Sequence, residues 1–238
     1  MKKILGLIFA TAIFSIASAQ KVINDVNAEK RNVSGFHGIS VSGGMDLYLS
    51  QGDEALAVSA SEAKYRDRIK TEVKDGILNI WYENNNNVRI DWGNRKLKVY
   101  ISYKDLDQIK ASGACDLLVI GDMKADDLRI DLSGASDLKG GKLVAKNLEI
   151  RLSGASDLKM SGNAEKVKVD ASGASDFKAY EFTADFCAVQ ATGASSIHIT
   201  VNKEISIKAS GASDVFYKGE AIIRDLKISG ASNVSKKS

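Results

Sequence analysis

Leu148-Glu149-Ile150-Arg151-Leu152-Ser153-Gly154-Ala155-Ser156-Asp157-Leu158-Lys159 is one copy of a pattern that returns along the whole C-terminal half of the chain. Its centre, Ser-Gly-Ala-Ser-Asp, stands at 112–116 with Cys115 as the fourth residue, then at 133–137, 153–157 and 172–176. It continues at 192–196 (Thr192, Ser196), 210–214 and 229–233 (Asn233). The glycines, from Gly113 through Gly134, Gly154, Gly173, Gly193 and Gly211 to Gly230, lie 21, 20, 19, 20, 18 and 19 residues apart. A degenerate copy, Ser42-Gly43-Gly44-Met45-Asp46, lies upstream. Self-similarity at a fixed period of this length marks a stacked-repeat architecture.

Ahead of each glycine, apolar and polar residues alternate. Leu128, Ile130 and Leu132 precede Gly134, Leu148, Ile150 and Leu152 precede Gly154, and Val167, Val169 and Ala171 precede Gly173. Ile205, Ile207 and Ala209 stand likewise before Gly211. Period two is a strand with those residues on one face. A second apolar position follows each motif: Leu138, Leu158, Phe177, Ile197, Val215 and Val234. About 20 residues at roughly 3.3 Å each trace a path of roughly 66 Å, enough for one coil of short strands. One coil cannot bury its apolar face, whereas coils stacked at about 4.8 Å share a core and satisfy each other's backbone groups. A helical repeat would need apolar residues at three- and four-residue spacing, which these segments lack. The expected fold is all-β: a parallel β-helix, or β-solenoid, with coils of about 20 residues. Its right hand follows the general preference of parallel crossovers.

Stacking also constrains the polar positions, because like charges about 4.8 Å apart repel. Three residues before the glycines stand Lys110, Asp131, Arg151, Asp170, Gln190, Lys208 and Lys227. The sign alternates from Lys110 to Asp170, as a parallel stack requires, and the last two lysines break the rule. Three residues after the glycines, Asp116, Asp137, Asp157 and Asp176 form a like-charge column beside Lys139, Lys159, Lys178 and His198. The favoured reading has each aspartate bonding turn N–H groups while the lysines neutralise the column. A row of cation sites is the alternative, but calcium sites take six or more oxygens each. One aspartate per coil next to a lysine supplies too few.

The remainder of the chain divides around this repeat. Lys2 and Lys3, the apolar run from Ile4 to Ile16, and Ala17-Ser18-Ala19 form a secretory signal peptide, with cleavage expected before Gln20. A retained N-terminal anchor is the alternative, but the run is short of the roughly 20 residues a membrane helix needs. Residues 20–32 are a leader, 33–234 a single solenoid domain, and 235–238 a tail. Within the domain, 33–110 are expected as irregular β coils and 111–234 as regular ones. Strands are expected at 39–41, 47–49, 56–58, 69–73, 78–82 and 97–101, with a helical turn in 61–68 and a tight turn at Lys74-Asp75-Gly76. The chain contains no proline, so its corners must be built by Gly, Asn, Asp and Ser. Without Lys2 and Lys3 the formal charge falls from +3 to +1, which gives no electrostatic case for nucleic acid. No integral membrane segment is expected once the signal is removed.

Three ordered blocks carry a family resemblance. Residues 36–53, from Phe36-His37-Gly38-Ile39-Ser40-Val41-Ser42-Gly43-Gly44 to Asp53, resemble the opening of the putative autotransporter adhesin head "GIN" domain family. Ile69 to Ile80 is similar to its second block, and Leu106 to Ala114 to the entry of its repeat. The resemblance spans about 33–234. It implies an exported, β-helical bacterial cell-envelope domain, and it transfers no active site and no cofactor. The chain lacks the membrane barrel of an autotransporter after its repeats.

Motifs for chemistry are sparse. His37 and His198 are the two histidines; His198 takes the place of the column lysines and is expected at the surface, His37 in a packing role. Ser-Gly-Ala-Ser is not a nucleophile elbow, which needs a strand-to-helix turn. No ligand set for zinc and no phosphate loop is present, so no catalytic, metal or cofactor residue is assigned. The candidate binding surface is the aromatic and charged patch Trp81, Tyr82, Arg89, Asp91, Trp92 and Arg95, since sugars are commonly held on aromatic faces. The function expected is a non-enzymatic structural or binding module, adhesin-like, recognising a glycan or a protein through a solenoid face. A carbohydrate-active enzyme centred on 81–95 is the alternative. Cys115 and Cys187 stand four coils apart, about 19 Å, beyond the roughly 7 Å a disulfide allows, so two buried free thiols are expected. The last coil ends with no evident cap, and an unpaired edge there predicts self-association into a homo-oligomer.

Overall fold

Strand register settles the repeat. In the computed structural model, which describes residues 25–84 and 95–238, Leu138 pairs in parallel with Leu117 on one side and Leu158 on the other. Leu158 pairs onward with Phe177, Phe177 with Ile197, Ile197 with Val215, and Val215 with Val234. The column from Lys110 to Lys227 is likewise continuous from coil to coil. The molecule is an all-β solenoid of about six turns with coils of about 20 residues. Residues 1–24, with the expected signal peptide among them, lie outside the described residues. Among those described, no helix is long and apolar enough to cross a membrane.

One coil shows how the sequence bends. Leu138, Leu143, Ala145, Leu148, Ile150, Leu152 and Ser156 point inward. Alternation is broken by two adjacent exposed residues at Lys139-Gly140, Lys146-Asn147 and Gly154-Ala155, which gives the coil three corners. At the last corner Gly154 takes φ +78°, and a Cβ there would lie 2.4 Å from the Gly134 carbonyl oxygen. That oxygen accepts the Ala155 N–H at 2.7 Å, and the same bond recurs between Ala174 and Gly154 at 2.8 Å. The motif glycine therefore answers two demands at once: a left-handed φ and a backbone passing directly above another. The alternating pattern predicted the strands; this coil-to-coil bond explains why the corner sequence repeats.

The second motif serine turns inward and is fully buried. A buried hydroxyl must find a partner, and each donates to the carbonyl three residues back: Ser136 to Ser133 (3.0 Å), Ser156 to Ser153 (3.0 Å), Ser175 to Ser172 (2.7 Å). Cys115 makes the equivalent contact to Ser112 at 3.4 Å.

The region 33–110 is less irregular than its sequence suggests. Gly38–Ser42 lies between Ile77–Tyr82 and Gln108–Ser112, all parallel, and Asp46–Gln51 lies between Lys98–Tyr103 and the start of Asp116–Leu132. The degenerate motif thus stacks directly on the first regular one, Ser42 beside Ser112 and Asp46 beside Asp116. The intervening chain forms a further coil on the outer side. Antiparallel strands then close that end: Ala55–Ser59 on Lys98–Tyr103, Glu29–Arg31 on Ala55–Ser59, and Ile69–Lys74 on Ile77–Tyr82. The hairpin turn uses Asp75 at φ 51° and Gly76 at φ 73°, as a tight turn with both central residues left-handed requires. The helical turn is Ala63–Arg66.

Candidate binding groove

An open groove of about 690 Å³ runs along the solenoid axis, where the chain emerges from the corner at Lys146-Asn147. Its two walls are outward-pointing columns separated by one inward residue. Asp127, Asn147, Lys166, Phe186 and Glu204 form one wall; Arg129, Glu149, Lys168, Ala188 and Ser206 form the other. Leu128, Leu148, Val167 and Cys187 lie beneath, facing the core. The groove thus crosses five coils, about 19 Å at the strand spacing.

Beside the second wall runs the column predicted to alternate in sign, and together they form a checkerboard. Arg129 Nε binds Asp131 Oδ2 at 2.8 Å, Arg151 binds Glu149 at 2.9 Å, and Lys168 binds Asp170 at 3.2 Å and Glu149 at 3.3 Å. The ion pairs close within a strand and straight between coils along the second wall, not along the predicted column. Residues two apart on one face are near neighbours in a strand, and the second charged column was not anticipated from the sequence. Hydrogen bonds from Arg151 and Lys168 hold the Glu149 carboxyl below the usual range. On the first wall, Asn147 donates to Asp127 at 2.6 Å, and Glu204 is bound by Arg224. Among the described residues Lys166 makes no ion pair, and half-buried Phe186 lies beside it, with Lys203 Nζ 5.5 Å from the ring centre. Half the groove is therefore locked internally, and half offers an amine, an aromatic ring and the Ser206 hydroxyl.

The patch chosen from the sequence is elsewhere, on the strand Ile77–Tyr82 and the chain that follows. Trp81 is 36% exposed, but Tyr82 and Arg95 are 7% and 8% exposed, the Arg95 guanidinium lying 4.6 Å over the Tyr82 ring. Both were expected on a binding surface and instead pack against each other, because Tyr82 follows the inward register of Leu78 and Ile80. Arg89, Asp91 and Trp92 lie outside the described residues. Nothing in the sequence marked the groove, since its residues come from five coils and share only their phase in the repeat.

The aspartate column meets its expectation in part, at Asp137 and Lys178. Asp137 accepts the Asp157 N–H at 3.2 Å, and Lys178 bridges Asp157 and Asp176 at 2.9 and 3.0 Å. Burial, and then the neighbouring Asp116 charge, push the Asp46 carboxyl up. Among the described residues no group of three or more His, Cys, Asp or Glu is placed to hold a metal. His37 departs from its expected packing role: it is exposed, with Nδ1 2.8 Å from Asp107 Oδ2, because it precedes the strand Gly38–Ser42 and escapes the inward register. His198 is half-buried, its ring between Tyr180 at 5.0 Å and Phe216 at 5.2 Å.

Both cysteines are free and buried. Burial pushes the Cys187 thiol up to about 12 and raises Cys115 as well. Only the thiolate reacts readily, so the native chain should resist a thiol-specific reagent at neutral pH for hours and take up two equivalents when denatured. Rapid labelling of either cysteine in the native state would contradict this burial.

Known proteins were compared with the whole chain. The family model described as "Putative auto-transporter adhesin, head GIN domain" matches residues 35–221. A solved "putative adhesin" from Bacteroides fragilis is similar at 20% identity and TM-score 0.78, over 88% of this chain and 96% of that one. A "putative adhesin" from Parabacteroides distasonis gives 18% identity and TM-score 0.67, over 88% and 96%. A "putative lipid binding protein" from the same species gives 20% and 0.64, over 90% and 98%. No curated protein matches the chain.

Proposed function

This chain belongs to the auto-transporter adhesin head GIN domain family, and from that premise we propose that it is an exported, non-enzymatic, adhesin-like module that holds an extended glycan in the axial groove. The family and the solved adhesins it resembles support a binding module at or beyond the cell surface. One observation carries the glycan reading: Phe186 is an accessible ring flanked by hydrogen-bonding groups in an open trough five coils long. Sugars pair an apolar ring face with equatorial hydroxyls. A half-buried aromatic beside Lys166, which makes no ion pair among the described residues, and near the Ser206 hydroxyl matches that combination. Trp81 remains a second aromatic that a longer ligand could reach.

Electrostatics favour binding over turnover. Glycoside hydrolysis needs one carboxyl kept protonated above its ordinary range, set against a second carboxylate. In the groove Glu149 is shifted the opposite way by Arg151 and Lys168, and Glu204 is tied to Arg224.

A glycan array probed with the purified chain, followed by calorimetry on the best ligand, tests the proposal. Truncating Phe186 to Ala removes about 1.5 kcal/mol of apolar contact, so affinity should fall about tenfold. Lys166→Glu should weaken binding too, and no ligand should be cleaved. Glycan binding indifferent to both groove substitutions would overturn the assignment, as would release of shortened sugar.

A further inference from the structure

The two ends of the solenoid differ. At the end formed by residues 25–84 and 95–103, antiparallel strands cover the outermost coil. At the other, Ile222–Ile228 pairs only with Ser196–Ala209, and Asn233–Lys236 only with Asp214–Lys218. Ile223, Leu226 and Ile228 continue the inward columns of Ile205, Ile207 and Ala209, which are 0–3% exposed; on the last coil they are 40–47% exposed. Together with Ile222 they make this strand the largest concentration of exposed aliphatic side chains among the described residues. Beside them is a row of backbone groups with no strand to bond. Such an edge is ordinarily covered or paired.

The charges on the edge identify what fits it. Lys227 stacks on Lys208, the single like-charged step in the column that otherwise alternates, while Asp225 stacks on Ser206. A covering strand that set a carboxylate over Lys227 and an ammonium over Asp225 would restore the alternation. The same strand, turned end for end, does this. In an antiparallel pairing centred on Leu226, residues 225 and 227 of one copy face 227 and 225 of the other, and Leu226 meets its own counterpart. A two-fold axis across the solenoid generates that arrangement, with both copies contributing the same surface. A head-to-tail stack would need the opposite end to be open, and antiparallel strands occupy it.

We propose that two copies of this chain meet tail to tail, pairing residues 224–228 of each antiparallel about Leu226 and covering the exposed aliphatic side chains of the last coil. The proposal is independent of the glycan reading, although a tail-to-tail pair would present two grooves to one surface.

Sedimentation velocity over a wide range of protein concentration tests it. The purified chain should show a reversible monomer–dimer equilibrium. Asp225→Lys and Lys227→Asp should each weaken the dimer by about tenfold, since each creates two like-charged contacts across the axis. The double exchange D225K/K227D should restore affinity to within about threefold of the original chain, because the pairing regains opposite charges. These residues are exposed on the last strand, and unchanged far-ultraviolet circular dichroism would establish that every variant is folded. A chain that stays monomeric at several hundred micromolar overturns the proposal, as do open-ended oligomers. A dimer that ignores both single exchanges, or a double exchange that fails to recover, overturns the pairing about Leu226.

Discussion

Gly154→Ala should destabilise the solenoid by about 2–3 kcal/mol. Two costs combine. An alanine at φ +78° bears the left-handed penalty of about 1–2 kcal/mol. Its Cβ would also sit 2.4 Å from the Gly134 carbonyl oxygen, so the two coils must separate at that corner. Separation lengthens the hydrogen bond from the Ala155 N–H to the Gly134 carbonyl, and weakening it costs about 1 kcal/mol more. Gly121 is the internal control, since it has φ +81° with nothing within 4 Å of where a Cβ would stand. Gly121→Ala should therefore cost only about 1–2 kcal/mol. Urea unfolding of the three proteins, with hydrogen exchange at 133–175 to detect local opening, measures both effects. If the two variants unfold within about 0.5 kcal/mol of one another, the coil-to-coil contact is not what requires glycine at the motif.

That contrast marks how much of the molecule could be read from its residues. The period and the alternation before each glycine predicted strands, coils and inward residues, because each is a one-dimensional pattern that a parallel stack leaves in the chain. The charge column from Lys110 to Asp170 was legible for the same reason. What escaped was whatever depends on two columns at once. Arg129 and Arg151 pair with Asp131 and Glu149, two residues away in the neighbouring column, while Glu149 also meets Arg129 and Lys168 along a column outside the one read from the sequence. The groove was missed on the same account. The order of the first coils was also hidden, since Gly38–Ser42 is flanked by strands 39 and 70 residues distant, joined by antiparallel pieces without a repeat. Tyr82 and Arg95 were misjudged by composition: an aromatic next to an arginine reads as a surface until the register turns the ring inward.

Phe177→Ala should cost the fold about 3–5 kcal/mol, the usual range for emptying a buried phenylalanine site. Phe177 is fully buried in a column that also holds Leu117, Leu138, Leu158, Ile197, Val215 and Val234, and it is the largest side chain of that column. The reason lies one strand earlier. The residue just before the motif is Leu132 and Leu152 in the preceding coils, but Ala171 here, so the coil loses three carbons at one inward position and regains them at Phe177. Close-packed interiors require such compensation. Each coil also touches only its neighbours, so a void at 177 cannot be filled from a distant part of the chain. Phe177→Leu, which copies Leu158 of the coil below, should cost only about 1 kcal/mol, because most of the volume is kept. Adding Ala171→Leu to Phe177→Leu should recover part of that loss if the two positions share one space, and non-additivity in the cycle would be the sign of it. Strict additivity, or a cost below about 1 kcal/mol for Phe177→Ala, would mean that coil volume is not conserved and that the stacking rests on its backbone ladders alone.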